Sequence, residues 1–145
     1  MDENVDPREG DKRLVEDVRR MYDEAFLRQD AGVIAVLFDT DAFFARRMSE
    51  SSGIQVIPGR RKIQEHHESL FEMWEVVAAR HFDCSITIEG IRAIDRGRGL
   101  LVIQKRADTS VNVLLSRYLA NLEKREGVWK VVFLMVRVDE PIIVF

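Results

Sequence analysis

Apolar side chains return every three or four positions in the first half of the chain and alternate more closely in the second. This predicts helices first and strands afterwards. Val15, Val18, Tyr22, Ala25 and Phe26 share one side of a helical projection, with Glu16, Arg20, Asp23 and Arg28 on the other. Asp6 before Pro7, or Asp11 after Gly10, caps this long amphipathic helix. Beyond the Asp30-Ala31-Gly32 break, Val33 to Leu37 forms a short second helix, and Ala42 to Arg47 reads as a strand. Ser51 to Gly53 is turn chemistry, Ile54-Gln55-Val56 alternates briefly, and Pro58-Gly59 punctuates it. From Arg60, the stripe Ile63, Leu70, Phe71, Trp74 and Val77 predicts a third helix, with His67 near its middle and His66 at its border.

Four strand-like runs follow: Phe82 to Ile94, Leu100 to Arg106, Val111 to Leu122 and Val128 to Val138. Their connections Asp95-Arg96-Gly97, Arg106 to Ser110 and Glu123 to Gly127 are short and polar, which suits antiparallel hairpins and excludes crossover helices. The expected class is α+β, three helices in the N-terminal half against a mainly antiparallel sheet. In the last run Val132, Leu134 and Val136 alternate with Val131, Phe133 and Met135, so both faces are apolar. An antiparallel sheet with one wet face would carry a polar alternate set. Helices cover one side on this reading, and a sister subunit covers much of the other as an isologous homodimer. The apolar tail over residues 139–145 packs on the body or the partner, whereas residues 1–10 form a flexible lead.

Composition narrows the setting. With 145 residues, 46% of them hydrophobic, the chain builds one substantial core and has no room for a second ordinary domain. Its 22 basic and 25 acidic residues nearly cancel, and the doublets Arg19-Arg20, Arg46-Arg47 and Arg60-Arg61 are scattered among acids. Nucleic acid is therefore not the expected partner. Cys84 has no second cysteine with which to form an intramolecular disulfide, which points to a reducing, cytoplasmic setting. The acidic N-terminus lacks the apolar run of a signal peptide, and no stretch has the length of a membrane helix.

The stretch from Ala31 to Phe71, with its short helix, its strand entered through Asp39-Thr40-Asp41-Ala42, its Ser/Gly turn and its following glycine and helix, resembles the nuclear transport factor 2-like and SnoaL-like families. The resemblance runs from about Leu14 to Val138. Gly59-Arg60-Arg61-Lys62-Ile63, His67-Glu68-Ser69-Leu70-Phe71 and Glu126-Gly127-Val128-Trp129-Lys130-Val131-Val132 look most like SgcJ/EcaC-type and DUF4440-type members. The resemblance implies a cone-shaped fold, its strongly curved sheet enclosing one apolar pocket. It also implies a cofactor-independent enzyme of isomerase, cyclase, dehydratase or hydrolase type, acting on a small, largely apolar molecule. Ketosteroid isomerases, similar at fold level, use a first-helix tyrosine, a carboxylate base near the start of the first strand and a protonated acid on a central strand. Ungapped counting puts Tyr22 at the tyrosine's place, Arg46 at the base's, and Tyr118 or Leu119 near the second acid's. No Asp or Glu lies from Val111 to Leu122, so that acid pair is absent. The Asp-Arg-Asp set of limonene epoxide hydrolase-like members is not assembled around Arg117 either.

His67 is the first candidate for proton transfer, because imidazole titrates near neutral pH. The alternative is a core histidine whose nitrogens bond backbone carbonyls or a nearby Tyr. Tyr22 either polarises a ligand oxygen or reaches a local acceptor. Arg46, Arg117 and Tyr118 are candidate ligand contacts on strands, with parity leaving open which of Arg117 and Tyr118 points inward. A buried arginine implies a ligand carboxylate or phosphate, or an internal acid. Phe44 and Trp74 are further candidate ligand contacts, whereas a pocket plugged by Phe44, Trp74 or Met135 would mark a non-catalytic binding or assembly module. Asp39 and Asp41 suit turn-making. His81, opening a strand, carries little weight on this reading. Glu65-His66-His67-Glu68 lacks the four-residue spacing of helical metal ligands, and Arg96-Gly97-Arg98-Gly99 has no following helix to seat a phosphate, so neither metal nor cofactor is expected.

Overall fold

A computed structural model describes residues 6–139 and 141–144. What was expected of residues 1–5, Glu140 and Phe145 lies outside the described residues. Helix α1 (Pro7–Arg28) starts at Asp6, whose carboxylate accepts from the Arg8 amide at 2.9 Å, and Pro7 opens the first turn. The four residues from Pro7 to Gly10, expected in a flexible lead, are therefore helical. Gln29 ends the helix in the left-handed conformation, and its side chain caps the Val76 amide at 3.0 Å. Asp30 starts α2 (Ala31–Val36) by accepting from the Val33 amide.

Strand β1 (Phe38–Arg47) pairs antiparallel with β2 (Gln55–Pro58), and α3 (Arg60–Met73) leads into β3 (Trp74–Glu89), β4 (Arg92–Lys105), β5 (Val111–Arg125) and β6 (Val128–Val138). The sheet runs β2-β1-β6-β5-β4-β3, antiparallel except for β1 on β6. This mixed, open sheet with three helices is the expected α+β architecture. The tail strand β7 (Ile142–Val144) continues the line of β6 along β5.

Two expected boundaries are corrected. Helix α3 stops at Met73, because Trp74 already has extended backbone and β3 pairs with β4 from that residue, so Trp74 and Val77 belong to the sheet. The Trp-Glu-Val-Val run fits either period, and pairing with β4 decides it. The β3–β4 turn is at Gly90 and Ile91, not Asp95 to Gly97. Gly97 lies inside β4 because a Cβ there would sit 3.0 Å from Asp83 O and Cys84 Cα, where β3 bulges. Close backbone approach, not turning, is its role.

Parity across the paired strands sorts the arginines. Arg98, Arg117, Arg137 and Arg47 stand directly opposite one another across β4, β5, β6 and β1, on the sheet face away from the core. Tyr118 and Val136, one position along, face inward. The core joins α1, α2 and α3 to this inner face through Val15, Ile34, Phe38 and Ile63, all fully buried.

Candidate active site

A cavity of about 110 Å³ lies between α1, α3 and the inner face of the sheet, walled by Phe26, Phe44, Leu101, Leu114 and Val136 among others. Its polar groups are few: Tyr22, Asp23, Arg46, Arg80, Ser116 and three imidazoles.

The closest polar pairing in the cavity is one that sequence reasoning missed. Asp23 on α1 and His81 in mid-β3 approach at 2.6 Å between Oδ1 and Nδ1, each about one-fifth exposed. The oxygen lies off the direction of the ring N–H, so Nδ1 counts as unpartnered by hydrogen-bond geometry despite the short distance. The two groups are thus in contact without being aligned as a hydrogen bond. Gly99 lies beside the ring and makes room for Ser116: a Cβ there would meet Ser116 Oγ at 2.7 Å and touch His81 Cδ2 at 3.4 Å. Tyr118 lies edge-on to the same imidazole, with ring centroids 4.7 Å apart.

His67 is almost fully buried, and its Nδ1 donates to the Ile63 carbonyl at 2.7 Å, which leaves Nε2 as the acceptor nitrogen. Burial lowers its pKa to about 4, the Ile63 carbonyl pulls it back in part, and the Arg46 charge lowers it further. It is neutral at physiological pH. Tyr22 stands between the histidines, its ring centroid 6.3 Å from His67 and 6.1 Å from His81. Burial raises the Tyr22 pKa, so the phenol keeps its proton and can donate it in a hydrogen bond. At the far end Arg46 Nε donates to Gln55 Oε1 at 2.9 Å and Nη1 donates to His66 Nε2 at 3.2 Å. His66 is therefore the neutral tautomer with its proton on Nδ1, and burial, Arg46 and His67 lower its pKa to about 4.

The structure brings Tyr22, His67, Arg46 and Phe44 to this one cavity. Tyr118 faces inward below it, Arg117 projects from the opposite face, and Trp74 is a half-buried residue at the start of β3 that does not line the cavity. Met135 also lies on the opposite face. Asp39 is held by Arg125 at 2.7 Å and so works as an ion-pair partner.

Behind Tyr22 and His81 lies a second chamber of about 50 Å³. Its polar corner is a buried triad: Tyr118 donates to Asp95 Oδ1 at 2.9 Å, and Arg19 Nη1 donates to the same oxygen at 3.1 Å. Burial pushes the Asp95 carboxyl up, and Arg19 and Tyr118 pull it back in part. Asp95 lies inside β4, not in the turn expected there, and the triad follows from that placement.

No family model and no curated protein matches the chain by sequence. Solved structures do match. A hexachlorocyclohexane dehydrochlorinase of type 2 aligns with a TM-score of 0.81 at 15% identity, over 95% of this chain and 91% of the other. A protein of Novosphingobium aromaticivorans assigned as a scytalone dehydratase gives 0.80 at 15%, over 93% and 88%. A ketosteroid isomerase-like protein from Erwinia carotovora gives 0.70 at 18%, over 86% and 93%. The chain has the nuclear transport factor 2-like, ketosteroid isomerase-like fold.

In this ketosteroid isomerase-like fold the first helix and the third strand face each other across the cavity, which is how Asp23 and His81 meet. The available signal was weak. Asp23 reads as an ordinary polar-face residue, and the bulges at Val76/Ala78 and Phe82/Ser85 break the alternation that would have marked His81 as inward. Among the described residues no cluster of three His, Cys, Asp or Glu has metal-binding proximity, and no helix is long and apolar enough to cross a membrane.

Proposed function

We propose that this protein is a cofactor-independent enzyme that takes a proton from carbon in a small, largely apolar molecule and expels a leaving group from the neighbouring carbon. The carrying observation is the Asp23–His81 pair opening on an apolar cavity. With Nδ1 turned to Asp23, His81 Nε2 is the base. It takes the proton, the C–H electron pair becomes the new double bond, and the leaving group departs with the electrons of its own bond. Asp23 stabilises the imidazolium so formed, and the Tyr22 hydroxyl donates to oxygen on the reacting molecule. Elimination is favoured over isomerisation because two of the similar structures bear the names dehydrochlorinase and dehydratase, both of which denote loss of a small molecule. The test is turnover on a panel of small cyclic β-hydroxy and β-halo carbonyl compounds, read as alkene formation and deuterium uptake by NMR. His81→Gln should slow the reaction by about 10²–10⁴-fold. An unchanged rate would remove His81 from the chemistry.

The rival is a binding module with the same cavity, and the off-line Asp23–His81 geometry is the observation in its favour. It expects no turnover on any member of the panel and saturable binding that is indifferent to His81→Gln.

A further inference from the structure

Arg46 is a half-buried cation with neutral company. Its hydrogen bonds go to the Gln55 amide oxygen and to neutral His66, and among the described residues no carboxylate lies within ion-pair distance of it. Its Nη2 edge makes no hydrogen bond to any described residue. A half-buried guanidinium with no counter-charge gains from an incoming anion, which meets its free edge in a partly desolvated setting. Its neighbours reinforce the point. The formally charged side chains around the cavity are Arg46, Arg80 and Asp23, and Asp23 is already engaged by His81. His66 and His67 add hydrogen-bonding nitrogens without charge.

We propose that the substrate carries a carboxylate, seated on the free edge of Arg46, while its apolar body fills the cavity and its reacting carbon lies towards His81. This rests on the proton-transfer reading of the same pocket and adds to it the chemical class of the molecule. Arg46 and His81 are linked through His66, His67 and Tyr22, with successive ring centroids 5.3, 6.3 and 6.1 Å apart, so anchor and base address different parts of one molecule. The cavity's small volume calls for a body about the size of a single six-membered ring. A phosphate would be poorly served, since its three acceptor oxygens exceed what one guanidinium edge supplies. Burial lowers the Arg46 pKa, which an incoming carboxylate would reverse.

The test uses benzoate and its neutral isostere benzamide as probes, titrated into the 145-residue chain and followed by amide chemical shifts. Wild type should prefer benzoate by about tenfold or more, the worth of a charge-assisted hydrogen bond. Arg46→Gln should abolish that preference by weakening benzoate far more than benzamide. Arg46→Lys, which keeps the charge but loses the planar fork, should retain part of it and controls for misfolding. Equal binding of the two probes by wild type, a preference that survives Arg46→Gln, or no binding of either probe at roughly 10 mM would each overturn the proposal. The preference should also survive His81→Gln, so failure of the anchor and failure of the base are read in separate measurements.

Discussion

Asp23 Oδ1 and His81 Nδ1 are 2.6 Å apart although the residues sit on the first helix and the third strand. Only the packing of that helix across the sheet brings them together. In the proposed mechanism the carboxylate acts through the imidazole, so the two should behave as one unit in turnover. Asp23→Asn and His81→Gln are each expected to lower kcat by about 10²–10⁴-fold, and the double variant to be scarcely worse than the single ones. Additive losses in steady-state kinetics would show that the residues act separately.

Gly99 tests the same site from behind. A methyl group there would clash with Ser116 Oγ at 2.7 Å and come into ordinary contact with the His81 ring at 3.4 Å. Gly99→Ala should destabilise by about 1–3 kcal/mol through overcrowding and should lower activity as Ser116, part of the cavity wall, is pushed aside. Removing the hydroxyl with Ser116→Ala should restore part of both. Denaturant melts and turnover on the double variant check the coupling, and absence of any rescue would place the strain elsewhere.

The parts of the fold legible in the sequence were those where one period dominates. The Val15-Val18-Tyr22-Ala25-Phe26 stripe and the hairpin polar segments at Arg106 to Ser110 and Glu123 to Gly127 led directly to α1 and the β4-β5-β6 meander. Legibility failed where glycine serves close approach instead of turning. Gly97 and Gly99 read as punctuation, which cut β4 short and put Asp95 in a loop when it is a buried member of the Arg19–Tyr118 triad. The candidate site divided along the same line. Tyr22 and His67 lie on stripes with helical spacing and could be placed on the inner face, whereas Asp23 belongs to a polar face and His81 to a bulged strand, and neither carries a local pattern for proton transfer.

The Arg19–Asp95–Tyr118 triad predicts unequal costs for its members. Asp95 is 4% exposed and Arg19 18%, so Asp95→Ala strands a largely desolvated guanidinium and should cost about 3 kcal/mol. Tyr118→Phe removes the bond to Asp95 and a longer one accepted from Arg19 at 3.4 Å while Asp95 keeps Arg19, and should cost about 1–2 kcal/mol. Replacing both ions, with Arg19→Met and Asp95→Leu together, should cost less than Asp95→Ala alone, because no charge is left behind. Urea unfolding of the three variants gives the order, and a double variant weaker than Asp95→Ala would contradict this account.

Stability should also fall on mild acidification, and His67 supplies the sign. Its folded pKa is about 4 against an ordinary 6.5, so between those values the unfolded chain binds a proton that the folded chain refuses. Unfolding therefore releases no proton above pH 6.5, takes one up between 6.5 and 4, and stability declines across that window as pH falls. The slope is about 1.4 kcal/mol per pH unit for one such group. His66, lowered to about 4 as well, steepens it, though its partial exposure reduces its share. In His67→Gln the slope between pH 6.5 and 4 should drop by about one proton, measured as the pH dependence of the unfolding free energy. A slope unchanged by that substitution would mean that His67 is protonated inside the folded core, against the neutral state that its buried ring and the nearby Arg46 charge favour.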